Sequence, residues 1–227
     1  MKKKTFYTEL AYIVGLLLLA LGTALMERAG YGLSMVVAPA YLIYLKVSQF
    51  VPFFTFGMAE YCFQAVLLVV MTCILRKFRP SFLFSIVTAV IYGFVLDGAM
   101  ALTALIRCEA VAVRLSCYLL GFLFCALGIS FLFHAYLPPA VYELLVKRIA
   151  TKWGVDINRV KTVYDCTSCA VAITLSFAFF GLGQFEGVRL GTILCAPVNG
   201  TLIGLCSRCL EHFFVFRDRW RFRSFFE

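Results

Sequence analysis

Six apolar runs, at 10–26, 50–75, 81–106, 115–137, 163–185 and 188–207, dominate the chain. Each is near or above the ~20 residues a helix needs to cross a bilayer core. At that depth no water satisfies backbone N–H and C=O groups, so only helices or a closed barrel can span it. The runs are apolar on all sides instead of alternating along short strands, which argues against a barrel. The chain therefore reads as an all-α polytopic membrane protein. Only 15% of its residues are charged, against about 25% in a soluble domain. No soluble domain stands out, so its work is done in or at the bilayer.

The start "MKKKTFYTEL" has the charge of a signal-peptide n-region, but no small-residue cleavage site follows the first apolar run, so that run is expected to stay as a span. The net charge of +9 sits in short clusters between spans, a pattern of membrane topology and not of a nucleic-acid surface. Most of the ten cysteines lie inside apolar runs and read as small hydrophobes.

Residues 12–25, "YIVGLLLLALGTAL", return at 118–131 as "YLLGFLFCALGISF", with six of fourteen positions identical. Both halves keep one order of parts: a long span, a short proline-containing segment, then two long spans. The short segments are 31–45, around Pro39, and 137–146, opening on Pro138 and Pro139. We therefore divide the chain into a first membrane repeat at 1–106, a second at 115–210 and a basic, aromatic, cytoplasmic tail at 211–227. Three spans per half would invert the second repeat relative to the first. Four would give eight spans and parallel repeats. With the amino terminus inside, either topology places sixteen of the twenty-one Lys and Arg in the cytoplasm. The compact "RKFRP" turn at 76–80 and the shortness of the two segments favour six spans. Gly15 and Gly22 share a helix face, as do Gly121 and Gly128, and each pair predicts a seam of close helix packing.

Three stretches, "ALGTALMERAGYGLSMVVAPAYLIYLK", "YELLVKRIATKWGVDINRVKTVYD" and "GTILCAPVNGTLIG", resemble the YitT/YczE-like family of bacterial integral membrane proteins. The resemblance covers most of the chain and implies a multi-pass protein of the bacterial cytoplasmic membrane, and the charge pattern places both termini inside. It brings no settled activity. That family often has a glycine-rich turn before the second short helix, where this chain has "AYLPPA".

Polar residues inside spans are expensive in lipid, so they mark cavities or partners. Glu60, Gln64, Asp97, Asp165 and Asn199 are the candidates, and overlaying the halves sets Glu60 opposite Asp165. Asp165 also lies four residues past Lys161, close enough to a polar stretch to be solvated at the interface. The stretch "AGYGLS" at 29–34 is a candidate half-helix start offering free N–H groups to an anionic or polar solute. The same residues also suit a tight turn under an interfacial helix. His134, one turn before Pro138, and Glu143, on the second short segment, are candidates for a proton relay or ordinary hydrogen-bonding groups.

Two C-x-x-C spacings, at Cys166 and Cys169 and at Cys206 and Cys209, are weak metal or redox signals on a cysteine-rich background. We expect no metal, no cofactor and no catalytic residues, since neither a nucleophile triad nor a nucleotide-binding motif is present. The resulting expectation is a transporter or permease-like protein for an unknown small solute. Its rival is a membrane subunit or assembly factor that binds another protein through its faces or its "RDRWRFRSFF" tail. The expected partners are the lipid bilayer, the solute, and a second copy or another membrane protein, with no nucleic acid.

Overall fold

The computed structural model describes residues 4–76, 82–183 and 188–219. Among them are eight helices: α1 (Thr8–Ala29), α2 (Ala38–Val47), α3 (Phe56–Leu75), α4 (Leu83–Thr103), α5 (Val111–His134), α6 (Val141–Trp153), α7 (Ile157–Phe180) and α8 (Leu190–Phe213). All but α2 and α6 are long and apolar enough to cross a membrane. At a rise of 1.5 Å per residue, the 10 residues of α2 and the 13 of α6 reach about 15 and 20 Å, short of the ~30 Å core. Two short strands with no signal in the apolar pattern, β1 (Lys4–Tyr7) and β2 (Phe214–Arg217), pair in parallel and hold both chain ends at one end of the bundle. The tail proposed at 211–227 thus begins as the last turn of α8 and a strand, and its residues 220–227 lie outside the described residues. Most of the "RKFRP" turn lies outside them as well.

The centre of the fold is the contact of α1 with α5. A Cβ built on Gly15 would lie 2.9 Å from the Gly128 carbonyl oxygen, and one on Gly22 would lie 2.6 Å from that of Gly121. The converse distances, 2.8 Å for Gly128 and 2.7 Å for Gly121, show a reciprocal, antiparallel crossing. Lipid tails give helices no hydrophobic reason to associate, so dispersion across a close backbone approach does the work, and only glycine permits this approach. Around this pair, α4 packs on α1 and α8 on α5, α3 packs on α4 and α7 on α8, and each short helix, α2 and α6, lies between α3 and α7 and packs on both.

Both short helices start within the bundle. α1 stops at Gly30, which takes a left-handed conformation (φ 69°), and residues 30–37 then turn back inward without regular structure. Irregular backbone at this depth must find partners in protein. The Thr192 hydroxyl donates to Leu33 O at 2.8 Å and the Ser168 hydroxyl to Met35 O at 2.9 Å. α2 therefore begins at Ala38, with Pro39 in its first turn, and not in the 29–34 stretch proposed from sequence. It runs out to the end opposite the termini, where Lys46 Nζ donates to Phe179 O at the close of α7. α6 mirrors this course: it begins beside Gln64, in the middle of α3, and ends where Lys152 Nζ donates to Ile74 O near the end of α3. Its helix continues past the 137–146 segment read from sequence until Gly154 (φ 64°) stops it.

Candidate functional site

The inner end of α6 meets a buried polar cluster. On α3, Glu60 and Gln64 stand one turn apart, and Gln64 Nε2 donates to Glu60 Oε1 at 3.3 Å. The other end of the same amide accepts the Val141 N–H at 2.8 Å, so Gln64 caps the first residue of α6 from a neighbouring helix. The Tyr142 hydroxyl approaches the Glu60 carboxyl without completing a well-aligned hydrogen bond. Next along α6, Glu143 lies 4.0 Å through Oε1 from Lys161 Nζ on α7. Lys161 pairs more closely, at 3.0 Å, with Asp165 Oδ1 one turn further along its own helix. Asp165 Oδ2 accepts from Asn199 Nδ2 at 2.6 Å, which draws in α8 two residues after its internal Pro197.

Glu60, Lys161 and Asp165 are 0% exposed and Glu143 1%. The alternative of an Asp165 solvated at the interface is therefore incorrect: α7 starts at Ile157, capped by the Asp156 side chain, and carries Asp165 two turns into the bundle. The same start corrects the assignment of Lys161 to the cytoplasmic charges. Its residue type and polar neighbours suggested a loop, but its side chain is in the core. The one usable signal was its i, i+4 spacing to Asp165.

The cluster holds one ammonium against three carboxyl groups, so it is electrically neutral only when those carboxyls share two protons. Unpaired charge at such depth is strongly disfavoured. At Glu143, outside the long helices, two influences oppose each other: burial pushes its carboxyl up from the usual range while the Lys161 ammonium pulls it down. Its Oε2 has no hydrogen-bond partner among the described residues.

The other sequence candidates do not join this cluster. Asp97, on α4, accepts from the Gly57 N–H at 2.9 Å and the Thr55 hydroxyl at 2.8 Å, which makes it a cap on the start of α3. His134 stands near the chain ends and not beside Glu143. Its Nδ1 lies 2.8 Å from Ser130 O, its Nε2 lies 3.0 Å from Glu211 Oε1, and its ring stacks on Phe216. In each C-x-x-C pair one thiol is buried, Cys169 or Cys206, and its partner, Cys166 or Cys209, is exposed.

The chain belongs to DUF6198, a family of unknown function, whose family model matches residues 6–208. Comparison with curated proteins and with solved structures gave no match.

Proposed function

We propose that this member of a family of unknown function is a transporter or permease-like protein of the bacterial cytoplasmic membrane, moving a small solute with protons. The observation that carries the proposal is the convergence of Glu60, Glu143, Lys161 and Asp165, from α3, α6 and α7, at the inner end of the short helix α6. The antiparallel α1–α5 seam and the placing of both short helices between α3 and α7 support six spans in two inverted repeats, and the β1–β2 pairing supports termini on one side, which the charge pattern assigns to the cytoplasm. Such repeats can rock about a central site, exposing it to each side in turn. The resemblance to the YitT/YczE-like proteins fits the same architecture. We assign no enzymatic activity.

In this arrangement the cluster is closed to both sides. The half-helix starts supply N–H groups and partial positive charge for a polar or anionic solute. The carboxyls supply protons, and Lys161 changes partner between Asp165 and Glu143 as they load and unload. The test uses purified protein in liposomes with a trapped pH dye, challenged with a panel of small organic solutes. A solute that drives a pH change through the wild type should drive none through Glu60→Gln of unchanged fold. Unchanged flux would remove Glu60 from the mechanism.

The second reading is a membrane subunit or assembly factor. It is favoured by the surface clefts, of about 560 Å³ beside Arg114 and Arg189 and about 630 Å³ beside His134 and Glu211. Under that reading Glu60→Gln would leave every flux unchanged and a partner would copurify.

A further inference from the structure

At the end opposite the termini, α5 and α8 begin beside the turn that ends α1. The cleft there, about 560 Å³, is lined by Gly30, Tyr31, Arg114, Arg189, Leu190 and Ile193, with Gly183 at its edge. The two arginines come from different parts of the chain and converge on one point. A Cβ at Gly30 would lie 3.0 Å from Arg114 Nη2 and 3.7 Å from Arg189 Nη1. Arg114 Nε donates to Ala29 O at 2.9 Å, and Arg189 Nη1 donates to Gly30 O. These bonds cap the carbonyl end of α1, but each guanidinium has five N–H groups, and among the described residues most have no hydrogen-bond partner. The Arg114 guanidinium also lies over the Tyr31 ring, 4.9 Å from its centroid.

Among the described residues neither arginine is in an ion pair. Glu27, in the adjoining cleft, accepts from the Tyr41 hydroxyl at 3.3 Å instead. Two cations thus face each other with no acidic partner among the described residues, an arrangement that an anion relieves. Their placement is also against the general trend. Under the six-span topology only five of the twenty-one basic residues lie at this end, the side that membrane insertion keeps poor in positive charge. Beside the guanidiniums the cleft turns apolar: Leu190 is 78% and Ile193 41% exposed, both in the first turn of α8.

We propose that this cleft binds an organic anion with an apolar tail. Arg114 and Arg189 hold its phosphate or carboxylate head, and Leu190 and Ile193 carry the tail. Planar guanidiniums match the oxygens of either head bidentately. The site is independent of the transport proposal, since none of its residues belongs to the buried cluster. The same chemistry is offered by an anionic lipid of the surrounding leaflet and by a soluble amphiphile, and the experiment separates the two.

Full-length protein in a non-ionic detergent is titrated with decyl phosphate and with inorganic phosphate. Protein reconstituted with equal phosphatidylglycerol and phosphatidylcholine is then analysed for retained lipid by native mass spectrometry. Decyl phosphate should bind at least tenfold more tightly than inorganic phosphate. Arg114→Gln and Arg189→Gln should each weaken it about tenfold. Ile193→Trp, which fills the cleft with both arginines intact, should weaken it comparably and serves if the arginine variants do not fold. Arg159→Gln, on an exposed residue near the start of α7, is the control and should change nothing. Retention of phosphatidylglycerol over phosphatidylcholine, lost in the double arginine variant, identifies a lipid. Decyl phosphate binding without lipid preference identifies a soluble amphiphile. Equal binding of the two phosphates, or decyl phosphate binding unchanged in Ile193→Trp and in folded arginine variants, would overturn the assignment.

Discussion

Replacing Lys161 with Met keeps the length of the side chain and removes the only ammonium of the central cluster. Asp165 then loses its 3.0 Å partner and Glu143 its 4.0 Å one, with both carboxyls at or near zero exposure. Removing one member of a buried pair costs about 3–5 kcal/mol, because the charge left behind has neither water nor a counter-ion. Asp165→Asn is the milder change. Lys161 keeps Glu143, needs about 1 Å of movement to pair with it closely, and so should lose about 2 kcal/mol, within the usual range for a charged hydrogen bond. The double variant Lys161→Met, Asp165→Asn removes both charges and should lie within about 1 kcal/mol of the wild type, since a buried pair and its neutral replacement are often equivalent. The coupling energy, at least about 4 kcal/mol, is far outside the few tenths expected of independent sites. Reversible unfolding of the four proteins by SDS in mixed micelles measures it. Additive losses, or a Lys161→Met protein as stable as the wild type, would show that the ammonium is not a buried partner of Asp165. The charge balance on which the transport proposal rests would fail with it.

Glu143→Gln, an uncharged isostere, should change stability by less than about 1 kcal/mol if Glu143 holds one of the shared protons, while abolishing coupled proton flux in the liposome assay. A large loss of stability would show a permanent charge there. At the α1–α5 seam, Gly22→Ala places a methyl 2.6 Å from Gly121 O and 2.7 Å from Cys125 N, which should cost about 1–3 kcal/mol. Gly98→Ala, with nothing within 4 Å, should be neutral or stabilising by up to about 1 kcal/mol in the same unfolding assay. In a variant without native cysteines, Glu109→Cys should react with an impermeant maleimide added from outside and Thr151→Cys should not; protection of both would mean eight spans. Replacing Cys166 and Cys169 with Ala should change stability only modestly, and stoichiometric bound metal lost in that variant would refute a purely structural role for the pair.

How much of this molecule is legible in the chain follows from the range of the forces involved. Each long helix is fixed by a contiguous run of apolar residues, because in lipid a segment satisfies its own hydrogen bonds and needs no neighbour to be a helix. The glycine seams are readable in part: spacing alone puts Gly15 and Gly22 on one face and Gly121 and Gly128 on another, but that these two faces pack on each other is decided by the fold. Glu60 and Asp165 are recognisable as interior because the cost of facing lipid belongs to the residue type. Lys161 is not, for it stands in a polar stretch and is buried only because α6 folds back to set Glu143 beside α7. The start of α2 at Ala38 is hidden for a similar reason. Residues 30–37 stay irregular because Ser168 and Thr192, more than 130 residues away, satisfy their carbonyls. Local sequence determined which segments are helices and which residues cannot face lipid. Which charge meets which, and where backbone goes without a helix, was decided by the tertiary packing, because those energies belong to pairs of groups that only the fold brings together.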